Sequence, residues 1–430
     1  MMRPRIAAVM LLALTAVLPL RAQLVSGRFV TSAYTWEQFD TVGTSATYLR
    51  AFQTAQVSVA QGDLSFHTYL QGALNATNEF GDLGRIRVYN LYLKWANIGN
   101  AVDLTAGRQA VYAGVGAGTI DGGLVRARLL DKSVTVVGYA GAPVVGRYDW
   151  ISQGWDKGLA FGGQLTTSAL ENTRVGVSYV NWREDRPSYT SLRARDTTFA
   201  PYALPIEVND QAYQYIGGDV QYRFQSKVSL YGRYDYDINF DRTARFQAGA
   251  RFDVVDRLGF TADYIYRIPR VAFNSVFSAF IANNVEEMEF GAEYEILPRL
   301  RAFGKVARVM YDTDESNRWT LGLNSGYGSL SYSGGDGYAG QLQSVTLQAA
   351  YPLADRMIIP NASVNYASYR LSADDDREDA LSLALGATVR PSQPVSIDVQ
   401  GQMLTNRYYS NDFRLHLRFT YWFAEQLTLF

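Results

Sequence analysis

The chain has 430 residues, no cysteine, a formal charge of −1 and 13% aromatic residues, with 30 tyrosines. The missing cysteine excludes a disulfide framework, and the near-neutral balance gives no nucleic-acid footprint. Mean hydropathy is −0.13, and beyond the N-terminus no run approaches the ~18 consecutive apolar residues of a membrane helix.

In chain order, Arg3 and Arg5 precede an apolar run from Ile6 to Leu20, and a small residue, Ala22, follows. This predicts a secretory signal peptide over residues 1–22, its apolar run too short to span a bilayer. A short membrane anchor is the alternative reading. Cleavage removes Arg3, Arg5 and Arg21 and so moves the charge from −1 to −4 over residues 23–430. The signal has no cysteine for lipid attachment.

From Leu24 onward the pattern is strand nearly throughout, with apolar and polar residues alternating. In 244–255, Phe246, Ala248, Ala250 and Phe252 oppose Arg245, Gln247, Gly249, Arg251 and Asp253. In 285–296, Met288, Phe290, Ala292 and Tyr294 oppose Glu287, Glu289, Gly291, Glu293 and Glu295. The scheme repeats at 379–390 and 394–403. In 412–423, Phe413, Leu415, Leu417, Phe419, Tyr421 and Phe423 oppose Arg414, His416, Arg418 and Thr420. Aromatics gather toward strand ends, as in Tyr89 to Trp95 and Tyr231 to Asp237, which suits a membrane interface.

Short turns at 60–63, 98–101, 131–133, 225–227, 255–257, 297–299, 352–356 and 391–394 separate these strands. Between them come longer polar connections at 37–45, 77–85, 112–122, 146–157, 183–211, 268–285 and 370–379. The brief 239–241 falls on the long side. Alternating turns and loops, with charge confined to one strand parity, predict an all-β fold: a single transmembrane antiparallel β-barrel over 23–430. A sandwich core would bury the four glutamates of one strand at a cost of several kcal/mol for each uncompensated ion. The walk gives about 22 strands, from near Val25 to near Phe423, with 18 or 20 as alternatives and both termini periplasmic. The least defined pairs are 123–141 and 318–334, which are short and glycine-rich.

Little chemistry is encoded. The only histidines are His67 and His416, and neither a Gly-x-Ser-x-Gly elbow nor a His-x-Glu pattern occurs, so no enzyme, cofactor or metal site is expected. The glycine-rich 114–118 is followed by strand pattern, not by a helix N-terminus that could hold phosphate, and reads as a flexible external loop. The acidic 311–316 and 374–379 read as solvated tips, or as sites of divalent-ion bridging to anionic surface lipid. The 29-residue stretch 183–211 could fold inward or form an external flap.

The final Phe430, after an aromatic alternating strand, resembles the insertion signal of bacterial outer-membrane proteins, although Thr428, Gln426 and Ala424 depart from its large apolar positions. Gly107, Arg108 and Gln109, followed by Asp121 and Gly122, resemble the strand end and strand start of porin-like and alginate-export-type barrels. The resemblance to outer-membrane barrels spans 23–430. It implies the outer membrane of a Gram-negative-type bacterium, contact with outer-membrane lipid and lipopolysaccharide, and recognition of the closing strand by the barrel-assembly machinery.

Assigning the polar parity inward makes Arg28, Arg50, Arg126, Arg128, Arg223, Arg245, Arg251, Glu287, Glu289, Glu293, Glu295, Arg301, Lys305, Arg414, His416 and Arg418 the candidate pore-lining residues. Arg28, Arg50, Arg414 and Arg418 would form a basic wall at the closure. The glutamates would either set a transverse field with that wall or be neutralised by neighbouring strands. The expected function is a porin-like channel for passive diffusion of small hydrophilic or anionic solutes. The alternative is a non-conducting scaffold barrel that holds a partner protein. An energy-coupled transporter would need a large N-terminal plug, and strand pattern begins within a few residues of the predicted cleavage site.

Overall fold

The computed structural model describes residues 23–39, 45–77, 86–144, 146, 148–152, 154–184, 189–194, 200–206, 213–225, 227–269, 284–337, 340–372, 374–408 and 411–427. The first strands are β1 (Gln23–Phe39), β2 (Ser45–Gln61), β3 (Leu64–Asn75), β4 (Ile86–Ile98), β5 (Val102–Ala113), β6 (Gly116–Leu129), β7 (Val134–Pro143) and β8 (Gly158–Thr167). Then come β9 (Thr173–Glu184), β10 (Tyr189–Ala194), β11 (Pro201–Ile206), β12 (Tyr213–Phe224), β13 (Val228–Asp237), β14 (Arg242–Val255), β15 (Leu258–Arg267) and β16 (Val285–Leu297). The last are β17 (Leu300–Met310), β18 (Glu315–Ser325), β19 (Gly328–Gly337), β20 (Gln341–Ala350), β21 (Ile358–Arg370), β22 (Glu378–Ser392), β23 (Val395–Thr405) and β24 (Asp412–Leu427).

Successive strands pair antiparallel, β9 pairs with β12 across an insertion, and β24 pairs back onto β1. The result is one closed sheet of 22 strands. Closure leaves no edge, which is the condition for spanning lipid with strands. The insertion, β10 and β11, is a separate two-stranded hairpin. Its described residues Ala200 to Ala203 are exposed, and it lies within the long connection 183–211.

Ladder register carries one face continuously round the ring. Arg28 lies opposite Gln56 and Trp422, Gln56 opposite Tyr69, and His67 opposite Tyr92. The other face carries large apolar side chains left open: Leu385 is 70% exposed, Phe413 62% and Phe290 59%. An apolar belt of that extent, closed on itself, fits lipid rather than water. The charged face is therefore the interior. The Phe413–Phe423 parity of β24 belongs to the belt, and Arg414, His416 and Arg418 to the interior.

Two-residue or slightly longer turns occupy the rim that carries Gln23 and Leu427, called here the turn rim. Most of the long connections lie at the opposite loop rim. The glycine-rich pairs resolve as β6–β7 and β18–β19, the latter turning at Gly326–Tyr327, where Tyr327 N donates to Ser325 Oγ (3.2 Å). Two boundaries differ from the sequence reading. β24 runs on to Leu427, pairing Ala424 to Leu427 with Ser26 to Gln23, so the closing strand does not stop at Phe423. The external loop expected at 112–122 is instead strand on both sides of a tight turn at 114–115.

Candidate permeation site

The β5–β6 turn is where the lumen departs from a plain cylinder. The last β4–β5 pair toward the loop rim is Leu91 with Arg108; beyond it, 109–113 pair with β6 alone. Gly107, at φ +121°, makes this departure, and a Cβ there would run into the β4 backbone. The tip then folds over the interior face of β7, β8, β9 and β12. Val115 N donates to Ser178 Oγ (3.0 Å), and Gly114 (φ +62°) lies against the Ser178 side chain, where no Cβ would fit.

Val111, Ala113, Val115 and Ile120 bury against Tyr139, Ala160, Val180, Trp182 and Tyr215, an apolar cluster on the interior face. This overturns the reading of 114–118 as a flexible external loop. The opposite face of the hairpin looks into the lumen. There Tyr112 is 81% exposed, between Val111 at 0% and Ala113 at 1%. A closed sheet of 22 strands at ~4.8 Å spacing and ~40° tilt has a backbone diameter of roughly 45 Å. Side chains alone cannot fill it, and the hairpin takes part of that section.

Where the hairpin leaves the wall, residues after β7 take its place. Val88 N donates to Tyr148 O (2.9 Å). Arg108 Nη1 donates to Val88 O (3.1 Å) and Asp149 O (2.6 Å). Its Nε and Nη2 make a bidentate pair with Asp121 (2.7 and 2.8 Å), and Ser152 also hydrogen-bonds Asp121. Gln109 Nε2 donates to Gly122 O (3.3 Å). The five residues singled out by resemblance, Gly107, Arg108, Gln109, Asp121 and Gly122, thus meet at the hairpin's base.

The candidate lining residues occupy the interior parity in these arrangements. In β16, Glu287 pairs with Arg318, Glu289 with Lys305 (2.7 Å), and Glu293 with Arg251 and with Arg301 (3.7 Å). Among the described residues Glu295 has no ion-pair partner, though its ladder partner is Arg301. Arg251 also holds Asp253 (2.8 Å). The acidic strand is thus largely neutralised by its neighbours, as its short ladder distances require.

At the closure, Arg414 holds Asp412 (2.7 Å) and Arg418 holds Asp398 (3.1 Å). Arg28 Nε donates to Gln56 Oε1 (3.1 Å), and Arg50 stacks over Trp36 at 5.1 Å. His416 stands opposite Gln400 and Tyr34. Arg128 holds the buried Asp103 (2.6 Å), Arg126 is the ladder partner of that aspartate, and Arg245 bonds Gln247.

A recess of about 810 Å³ lies toward the turn rim, lined by Arg174, Arg223, Arg251, Gln221, Tyr231 and Asp263 among others. Arg174 is tied to Asp219 (3.3 Å), and Arg223 has no carboxylate partner among the described residues. Sequence reasoning missed Arg174 because it opens its strand directly after a turn. Its parity with Gly176 and Ser178 was the available signal.

No catalytic arrangement forms among the described residues. His67 lies between Ser58 Oγ (2.9 Å) and Ser65 Oγ (2.9 Å) and stacks on Tyr92, without a carboxylate to orient it. No group of three or more His, Asp or Glu side chains able to hold a metal occurs among the described residues.

No family model and no curated protein matches the sequence. Among solved structures, the translocation pore of the P pilus usher PapC matches 93% of this chain and 99% of its own, at 9% identity and a TM-score of 0.50. OccK2 (OpdF) of Pseudomonas aeruginosa matches 93% and 98% at 9% identity, with a TM-score of 0.41. A BenF-like porin from Pseudomonas fluorescens Pf-5 matches 94% and 99% at 9% identity, with a TM-score of 0.40. At such identity the PapC likeness is one of fold. Closed ring, apolar belt and charged interior together define a transmembrane β-barrel, the fold of bacterial outer-membrane channels.

Proposed function

We propose that this barrel is a porin-like channel through which small hydrophilic solutes diffuse passively, anionic ones preferentially, with the loop rim outside and both chain ends periplasmic. The observation that supports it best is the inward β5–β6 hairpin, which narrows a wide lumen in which the described residues form no packed plug domain. The recess below supports the anion preference through Arg223 alone: Arg174 is held by Asp219 and Arg251 by Asp253 and Glu293, whereas Arg223 has no carboxylate partner among the described residues. Lipopolysaccharide at the loop rim and the assembly machinery at β24 are the partners this reading implies, and residues 1–22 are its signal peptide. The sixteen interior charges and polar groups named above would line the path.

Purified protein in a planar bilayer tests this reading. Stepwise conductance is expected, with reversal potentials favouring anions. Heat-modifiable folding without any conductance assigns the barrel instead to the scaffold reading, with the lumen held by a partner chain. Two variants refine the test. Changing Glu287, Glu289, Glu293 and Glu295 together to lysine raises the anion-to-cation permeability ratio by roughly a factor of two or more. Unchanged reversal potentials would place those side chains off the path. Arg223→Gln lowers the same ratio, and more than Arg174→Gln does, because Arg174 is already paired with Asp219.

A further inference from the structure

We propose that Arg108 is a positioning residue: with Asp121 and the wall segment 148–152 it forms a latch that holds the β5–β6 hairpin in its inward pose. The channel reading enters only through the conductance arm of the test.

Three observations carry the proposal. Arg108 and Asp121 are ladder partners on the membrane-facing parity of their strands, in line with Leu104 and Ala106 and with Gly123 and Val125. In a hairpin continuing straight up the wall, both charges would point into hydrocarbon, where ionised side chains are strongly disfavoured. Leaning inward removes them from lipid, and the inward pose is therefore written into that parity. Secondly, the guanidinium joins three separate pieces: Asp121 on β6, Val88 O on β4 and Asp149 O after β7. Arg108 is only 6% exposed, so each of these bonds is made in a dry setting that strengthens it. Thirdly, the kink at Gly107 immediately precedes it, so the point of bending and the point of fastening are adjacent.

The latch couples two parts of the molecule. When 148–152 is seated, Arg108 is satisfied and the tip lies on Ser178 and Trp182. When the segment lifts, Arg108 loses the Asp149 carbonyl and the hairpin loses its anchor to the wall. A pair that merely stabilised its own surroundings would leave the tip, five residues further on at Ala113, unaffected.

The chain has no cysteine, so a single introduced thiol reports on the tip. In the folded, detergent-solubilised full chain, Ala113→Cys should react slowly with a maleimide, because Ala113 is buried. Adding Arg108→Ala or Asp121→Asn should accelerate labelling about tenfold or more, as the tip opens more often. Gln56→Cys, exposed on another part of the interior wall, should label at the same rate in every background. Arg108→Lys keeps the charge but cannot bridge Asp121 and two carbonyls at once, and should accelerate labelling nearly as much as alanine.

Unchanged labelling at position 113 in folded Arg108→Ala and Asp121→Asn would overturn the latch. So would full protection in Arg108→Lys, since charge alone would then suffice. If neither Arg108→Ala nor Asp121→Asn reaches the heat-modifiable form, the pair serves assembly and the latch is likewise overturned. In bilayers, Arg108→Ala should show larger and noisier conductance steps than the parent. A parent that does not conduct defeats the channel reading and leaves the labelling result standing.

Discussion

Removing the hairpin tip should at least double the single-channel conductance. The cleanest form of the experiment deletes residues 111–118 and joins Ala110 to Thr119 through Asn-Gly. Ala110 and Thr119 are ladder partners, so a two-residue turn closes them without altering register. Thr119 is retained because its carbonyl accepts from Val144 N (2.8 Å), the last β6–β7 contact toward the loop rim. The deleted residues pair with no wall strand, so the ring itself keeps its ladder. What is lost is the cover over Trp182 and Tyr215, and that exposes aromatic surface to a wet lumen without opening the membrane seal. Resistance in a pore is concentrated at its narrowest section, and Tyr112 is the large side chain that the tip leaves exposed. Tyr112→Ala alone should give a smaller rise, roughly one-and-a-half-fold, since an aromatic side chain presents ~150–250 Å² of surface. The size of polyethylene glycol excluded from the pore should increase in the same order. A deletion that leaves both conductance and exclusion unchanged would remove the hairpin from the path.

The parts of this fold visible in the sequence are those governed by period two and by turn chemistry. Phe246 to Phe252, Met288 to Tyr294 and Phe413 to Phe423 announce their faces because lipid requires large apolar groups there and the interior does not. The hairpin tip escaped because its glycines resemble a loop. A signal was nevertheless present: Val111, Ala113 and Val115 keep strict alternation through the turn, on the interior parity where an open lumen has no use for apolar groups. Val180 and Trp182 repeat that anomaly on β9. Interior apolar residues on neighbouring strands imply something packed against them. The charge partners of β16 were only half legible. Lys305 and Arg301 lie on the adjacent strand, but Arg318, which takes Glu287, stands two strands away. That pairing depends on side-chain reach across Val309 and on register, neither of which a single strand's pattern encodes. The end of β24 was misjudged because Ala424, Glu425 and Gln426 have no apolar alternation, yet they complete the ladder with β1.

Ala33→Pro should prevent the barrel from closing. Ala33 lies in β1 between Ala51 of β2 and Leu417 of β24, at the seam where the last strand meets the first. Every interior residue of a wall strand gives its N–H to one neighbour or the other, so proline removes a ladder bond whichever neighbour it served. In a soluble sheet such a residue can be shifted to an edge and water replaces the bond. A closed ring has no edge, and lipid supplies no donor or acceptor, so the freed carbonyl costs several kcal/mol. The seam also carries the largest loop-closure entropy, because its partners lie at opposite ends of the described chain. Loss of stability there should therefore appear as failure to reach the compact, heat-modifiable form on semi-native electrophoresis, with little protein recovered in the outer-membrane fraction. Ala33→Val is the matched control: it lies on the membrane-facing parity, favours strand and keeps its N–H, and should assemble normally. If the proline variant folds as well as the valine variant, β1 and β24 are not joined in the membrane. The wall would then have two open edges, which an isolated barrel in lipid cannot sustain.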